Sequence, residues 1–146
     1  MRIYLDTCSL QRPLDSKTQI RITLEAEAVL GVLTLCESGT VELVSSDALL
    51  FETERNPNPD RREYARAALS LAKAFILLDE RVEKRAKEFS DAGLKPFDAL
   101  HLASAEAAQA DYFCTCDDRL LRQAKGIENL EVKVISPIEL VEAIEP

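Results

Sequence analysis

Apolar positions along the chain follow two alternating rhythms. Short β-branched or aromatic runs at 2–5, 41–45, 75–78, 112–115 and 132–135 read as strands. Between them lie stretches with apolar residues at helical spacing, at 18–37, 46–54, 60–73, 80–91, 96–109, 118–125 and 137–144. In 18–37 the stripe runs through Ile20, Leu24, Ala28 and Leu35, and Gly39 follows as a stop signal. The segment Asn56-Pro-Asn-Pro-Asp60 reads as a turn between two helices. Strands separated by helices need right-handed crossovers, which make a sheet parallel and cover both of its faces. The expected fold class is therefore α/β, a three-layer α/β/α architecture around a central, mostly parallel five-stranded sheet.

Composition agrees with a compact fold. At 146 residues, with 47% hydrophobic and 30% charged residues, 4 Gly and 6 Pro, the chain is expected to form a single domain over 1–146 that needs no disulfide or structural metal. Apolar runs are short and broken by charge, and the N-terminus lacks the pattern of a signal peptide, so a cytoplasmic location without membrane insertion is expected. Cys8, Cys36, Cys114 and Cys116 lack the spacing of a disulfide framework. The net charge of −8 argues against general electrostatic capture of nucleic acid, which needs a basic footprint. Acids gathered around divalent ions would be largely neutralised, however, so the net charge understates how a phosphate would meet such a pocket.

Four acids stand where strand or helix ends could bring them together. Asp6 directly follows the run Ile3-Tyr-Leu5, and Asp117 follows Cys114-Thr-Cys116. In an open parallel sheet ligands bind beyond the carboxyl ends of the strands where the strand order reverses, and residues after the first and fourth strands can meet there. Asp79 also follows a strand, but the third, which lies away from that point. Glu52 shares an apolar stripe with Ala48 and Leu49 on a helix for which Ser46 is the natural N-cap, whereas Glu54 faces solvent. Asp98 falls in the first turn of a helix beginning near Pro96, with Leu102 and Ala105 on its stripe. Each acid has a bland alternative as a turn or helix-cap residue, and one of Asp117 and Asp118 is a natural cap. Thr115 adds a hydroxyl beside Asp117.

Carboxylates without a histidine cluster suit hard cations, Mg²⁺ or Mn²⁺, with positions left open for water and phosphate. A zinc set of His101, Cys114 and Cys116 lacks a fourth ligand, and Cys-x-Cys in a strand points its side chains alternately. No Ser-His or Cys-His arrangement supplies a protein nucleophile.

Leu5-Asp6-Thr7-Cys8, Ser46 through Glu52, Asp98-Ala-Leu-His-Leu-Ala-Ser-Ala and Thr115-Cys-Asp117-Asp118 resemble, in order and spacing, the four acidic motifs of the PIN domains. That family of metal-dependent ribonucleases includes the VapC-type toxins of prokaryotic toxin-antitoxin modules, and the resemblance spans essentially the whole chain. It implies that Asp6, Glu52, Asp98 and Asp117 are the catalytic, metal-binding acids, with Asp118 an additional metal ligand and Ser46 and Thr115 supporting polar groups. It also implies an RNA substrate cut to 5′-phosphate and 3′-hydroxyl ends, a protein antitoxin and a homodimer, for which the helix at 18–37 offers a surface. Where a small polar residue such as Ser or Asn often stands in the family, this chain has Cys8, so a polar contact is expected to be missing.

Arg12, Lys17, Arg21, Lys95, Arg119 and Arg122 flank the pocket in sequence and are candidates for phosphate contacts. Other phosphate-handling folds fit less well. A haloacid-dehalogenase-type phosphatase needs an Asp where Cys8 stands. A receiver domain could use Asp79 as acceptor, but Ile135-Ser-Pro supplies no lysine. The remaining rival is a PIN-like fold without turnover that acts through RNA or protein contacts.

Overall fold

The computed structural model describes residues 1–145. Its centre is one sheet of five strands, β1 (Arg2–Leu5), β2 (Glu42–Ser46), β3 (Ala74–Ile76), β4 (Tyr112–Cys114) and β5 (Lys133–Ile135). They lie in the order β3-β2-β1-β4-β5, and all four pairings are parallel. The order reverses between β1 and β4, which pair through Ile3 with Tyr112, Tyr4 with Phe113 and Leu5 with Cys114. The carboxyl ends of these two central strands are where Asp6 and Asp117 follow. Asp79, beyond edge strand β3, instead caps the next helix by accepting the Val82 N–H.

Helices α1 (Thr7–Gln11), α2 (Ile20–Glu37), α3 (Asp47–Glu54), α4 (Pro59–Leu69), α5 (Glu80–Asp91), α6 (Pro96–Ala107), α7 (Asp118–Lys125) and α8 (Pro137–Ile144) connect and cover the strands. α5 packs on α6 in one outer layer, and α2 packs on α8 in the other, giving three α/β/α layers. The core between them holds Ile3, Tyr4, Leu5, Leu43, Val44, Leu102 and Phe113, all shielded from solvent. No helix among the described residues is long and apolar enough to cross a membrane.

Several boundaries differ from the sequence expectation. α1 and the 3-10 turn Arg12–Leu14 were not anticipated; α1 is only five residues long and starts because Asp6 caps it. α4 ends at Leu69 rather than 73, and β3 starts at Ala74, so Leu77 and Leu78 run past the paired region and are exposed. The buried face of α2 is Glu25, Ala26, Val29, Val32 and Cys36, while Ile20 and Leu24 face solvent. Gly39 ends the connection after α2 with φ +82°, a left-handed conformation that a Cβ would strain.

Candidate active site

Asp6, Glu52, Asp98 and Asp117 open onto one cleft of about 390 Å³ at the carboxyl edge of the sheet. They arrive from β1, α3, α6 and β4, four elements far apart in sequence. Two of them also hold their own elements in place. Asp6 Oδ1 accepts the Ser9 N–H at 3.0 Å, and Asp117 Oδ1 accepts the N–H groups of Arg119 and Leu120 at 2.9 and 3.3 Å. Capping therefore does not remove these carboxylates from the cleft: the cap fixes one oxygen, and the other oxygen of Asp117 has no hydrogen bond among the described residues. Asp98 lies in the first turn of α6 behind Pro96, and neither of its oxygens has a hydrogen-bond partner among the described residues.

Glu52 is held differently. Its Oε1 accepts from the Thr7 hydroxyl at 2.7 Å and is in hydrogen-bond contact with His101 Nε2, while Oε2 makes no hydrogen bond. Glu54 points away to an ion pair with Arg66, so of the two acids it is Glu52 that lines the cleft. Ser46 caps α3 by accepting the Leu49 N–H at 3.1 Å and is fully buried, one layer behind the cleft. Thr115 is also buried, and its hydroxyl accepts the Asp117 N–H at 3.1 Å, which orients that acid.

Two expectations change. Asp118 does not line the cleft; both its oxygens accept from the Arg21 guanidinium, at 2.7 and 2.8 Å, on the outside of α7. This bidentate pair gives it a surface role, because an acid already held by a guanidinium competes poorly for a cation. The contact expected to be missing at Cys8 is present: the thiol donates to Asp6 Oδ1 at 3.1 Å and lies 3.4 Å from the Thr115 hydroxyl.

The electrostatics describe a site short of positive charge. Burial holds the Asp6 carboxyl well above its ordinary range, against the opposing bonds from Thr115 and Ser9. Burial also raises Asp98, and the nearby charge of Asp117 raises it further. For Glu52 burial acts upward too, but the His101 and Thr7 hydrogen bonds outweigh it and lower its pKa. A divalent ion would reverse the penalty on Asp6 and Asp98.

Among the described residues, no group of three or more His, Cys, Asp or Glu side chains stands close enough together to hold an ion as the side chains are placed. The donor set still fits Mg²⁺ or Mn²⁺, since such ions keep several waters and often use only one or two carboxylates. It does not fit zinc: His101 Nδ1 and Nε2 are both engaged, by Tyr4 and Glu52, and Cys114 is buried behind the strand.

The fold brings in residues that the sequence reading did not single out. Thr7, Gln11, Asp15 and Arg61 also line the cleft. Arg61 pairs with Asp15 at 2.9 Å and is the one Lys or Arg on the wall among the described residues. Gln11 donates to the Arg61 carbonyl at 3.0 Å. Of the six anticipated phosphate contacts, Arg12, Arg21 and Lys17 are engaged within the protein. Lys95, Arg119 and Arg122 lie exposed, with no side-chain hydrogen bond or ion pair among the described residues.

An all-parallel sheet reversing between β1 and β4, with four carboxylates gathered at the reversal, defines an α/β domain with an acidic cleft at the strand ends. The family model of the PIN domain matches residues 3–126, and the chain belongs to that family. Comparison with curated proteins finds no match. Among solved structures, the fold is similar to VapBC2 from Rickettsia felis bound to a DNA fragment from its promoter, with a TM-score of 0.61 and 13% identity. That likeness covers 93% of this chain and 98% of the other. DNA-bound VapBC from Salmonella typhimurium gives 0.60 at 14% identity, over 94% and 98%. Mycobacterium tuberculosis VapC20, a toxin that cleaves the sarcin-ricin loop, gives 0.55 at 19%, over 90% and 98%. At these identities the likeness concerns the fold.

Proposed function

We propose that the chain is a Mg²⁺- or Mn²⁺-dependent endoribonuclease of the cytoplasm, the toxin of a VapBC-type toxin-antitoxin module. The observation that carries this reading is the convergence of Asp6, Glu52, Asp98 and Asp117 on one cleft. The unengaged oxygens of Glu52, Asp98 and Asp117, with Asp6 at the end of β1, the strand between β2 and β4 in the sheet, would hold the cation. When bound, the ion supplies polarisation of the scissile phosphate and a bound water of lowered pKa. Thr115 and Ser46 keep Asp117 and α3 in register, and Cys8 and Ser9 keep Asp6 turned inward. Lys95, Arg119 and Arg122 are the cations free to meet phosphates along the strand.

Partners follow from the same resemblance. A protein antitoxin would cover the cleft, in keeping with the VapBC complexes among the structural neighbours. A homodimer would use the solvent-facing Ile20, Leu24 and Leu30 of α2, which the core does not need. Light scattering at high concentration should then report a dimer that Leu24→Glu converts to monomer; a wild-type monomer refutes the dimer.

The function is tested by incubating the protein with a mixed RNA pool and an equivalent DNA pool, with Mn²⁺ or with chelator. RNA cut only with metal supports the reading. Metal binding without cleavage of either pool refutes it in favour of a binding module.

A further inference from the structure

We propose that Ser46, Tyr4 and His101 form a one-directional hydrogen-bond relay that holds Glu52 with one oxygen fixed and the other presented to the cleft. Its members come from four elements: Ser46 ends β2, Tyr4 lies on β1, His101 on α6 and Glu52 on α3. Tyr4 and His101 thereby become positioning residues. They act through Glu52, and the inference rests on the proposed metal site.

The direction of the relay follows from counting donors. Ser46 Oγ accepts the Leu49 N–H, and its only other partner among the described residues is the Tyr4 hydroxyl at 2.7 Å. The Ser46 proton therefore goes to the Tyr4 oxygen. Tyr4 is fully buried, and burial pushes its phenol well above the usual range, so it keeps its single proton. With its oxygen accepting from Ser46, that proton is directed to His101 Nδ1, 2.6 Å away, while the neighbouring Ser104 hydroxyl donates to the Leu100 carbonyl. Nδ1 must then carry the lone pair, which places the imidazole proton on Nε2, facing Glu52 Oε1.

Packing leaves the relay little freedom. The Tyr4 ring stacks on Phe113 at 5.3 Å and 10°, and the His101 ring meets Tyr4 edge-on at 5.7 Å. His101 is 2% exposed, so no solvent competes for Nδ1. The donors from Thr7 and His101 both fall on Oε1. A carboxylate gripped twice at one oxygen cannot rotate, and Oε2 is left for a cation. Outer-shell partners of this kind typically change metal affinity by about 10 to 100-fold when removed.

His101 is the sole histidine of the chain, so its state can be read without assignment ambiguity. The test is ¹⁵N NMR of the imidazole in metal-free protein near neutral pH, combined with Mn²⁺ titration. The imidazole proton is expected on Nε2, with Nδ1 accepting from Tyr4. A proton on Nδ1 overturns the relay. Tyr4→Phe keeps the ring stack and removes the donor to Nδ1, so the imidazole loses the contact that fixes its orientation toward Glu52, and Mn²⁺ binding should weaken about 10-fold. His101→Ala should weaken binding by at least as much, and His101→Gln, whose amide can reach Oε1, should restore most of the loss. Equal affinity in all four proteins overturns the proposal even if Tyr4→Phe folds poorly, because the His101 pair decides it. Wild type that binds no Mn²⁺ instead refutes the metal site, and the metal-free NMR still decides the relay.

Discussion

Asp98 on α6 and Asp117 at the end of β4 share one cleft, where burial and the charge of Asp117 hold the Asp98 carboxyl above its ordinary range. In the metal-free protein the two acids oppose each other. Asp98→Asn should therefore raise the melting temperature measured without divalent ions by about 2 °C, the size of effect a modest stability gain has in a domain this long. Adding Mn²⁺ should stabilise wild type more than the variant, because binding to the folded state alone shifts stability by mass action. A variant that melts lower than wild type without metal contradicts this.

The pH dependence has a definite sign. Asp6 and Asp98 have raised folded pKa values, so the folded state binds more protons than the unfolded one above the ordinary carboxylate value of about 4. Metal-free stability should fall as pH rises from there through their folded values. Glu52 acts oppositely, since its lowered pKa gives stability that is lost as pH falls through its folded value. Denaturant melts across this range should show the fall in wild type and a smaller one in Asp98→Asn. Identical pH profiles for the two proteins would refute the assignment.

Asp118 and Glu25 separate the site from the scaffold. Asp118→Asn should leave Mn²⁺ affinity within about twofold of wild type, as surface substitutions usually do, because its carboxylate is held by Arg21 outside the cleft. Glu25 is 1% exposed and sits between Arg12 at 2.7 Å and Arg21 at 3.5 Å. Glu25→Ala should reduce stability by about 2 to 3 kcal/mol, since removing one partner leaves the guanidinium of Arg12 poorly compensated. Denaturant unfolding and Mn²⁺ titration of the two variants check both halves.

Much of the site was legible because each acid obeys a local rule that places it. Asp6 and Asp117 follow central strands, Asp98 follows a helix-opening proline, and Glu52 falls on the inner stripe of a helix capped by Ser46. What escaped depends on contacts distant in sequence. Asp118 could be assigned only by knowing that Arg21, 97 residues away, reaches it. The buried stripe of α2 was misread because apolar residues surround that helix and one of its fully buried members is the charged Glu25. α1 was too short to show a period, so Thr7 and Gln11 went unnoticed at the cleft. The contact at Cys8 was discounted from residue type alone, although a thiol donates, weakly, to a carboxylate 3.1 Å away.

That contact is itself testable. Cys8→Ser should retain folding and Mn²⁺ affinity, since a hydroxyl is the stronger donor to Asp6, while Cys8→Ala should weaken the affinity by a few fold, about 3-fold for one lost hydrogen bond. Calorimetric titration of the pair measures the difference; equal affinities would show that the thiol plays no part in holding Asp6.

The acidic cleft as the seat of metal-dependent RNA hydrolysis is tested most directly by single-turnover cleavage of an RNA pool in Mg²⁺, comparing wild type with Asp6→Asn and Asp98→Asn. Both variants should fold and lose at least about 100-fold in rate, the scale of losing part of a metal's transition-state stabilisation. Cleavage that persists equally in both variants would contradict the account.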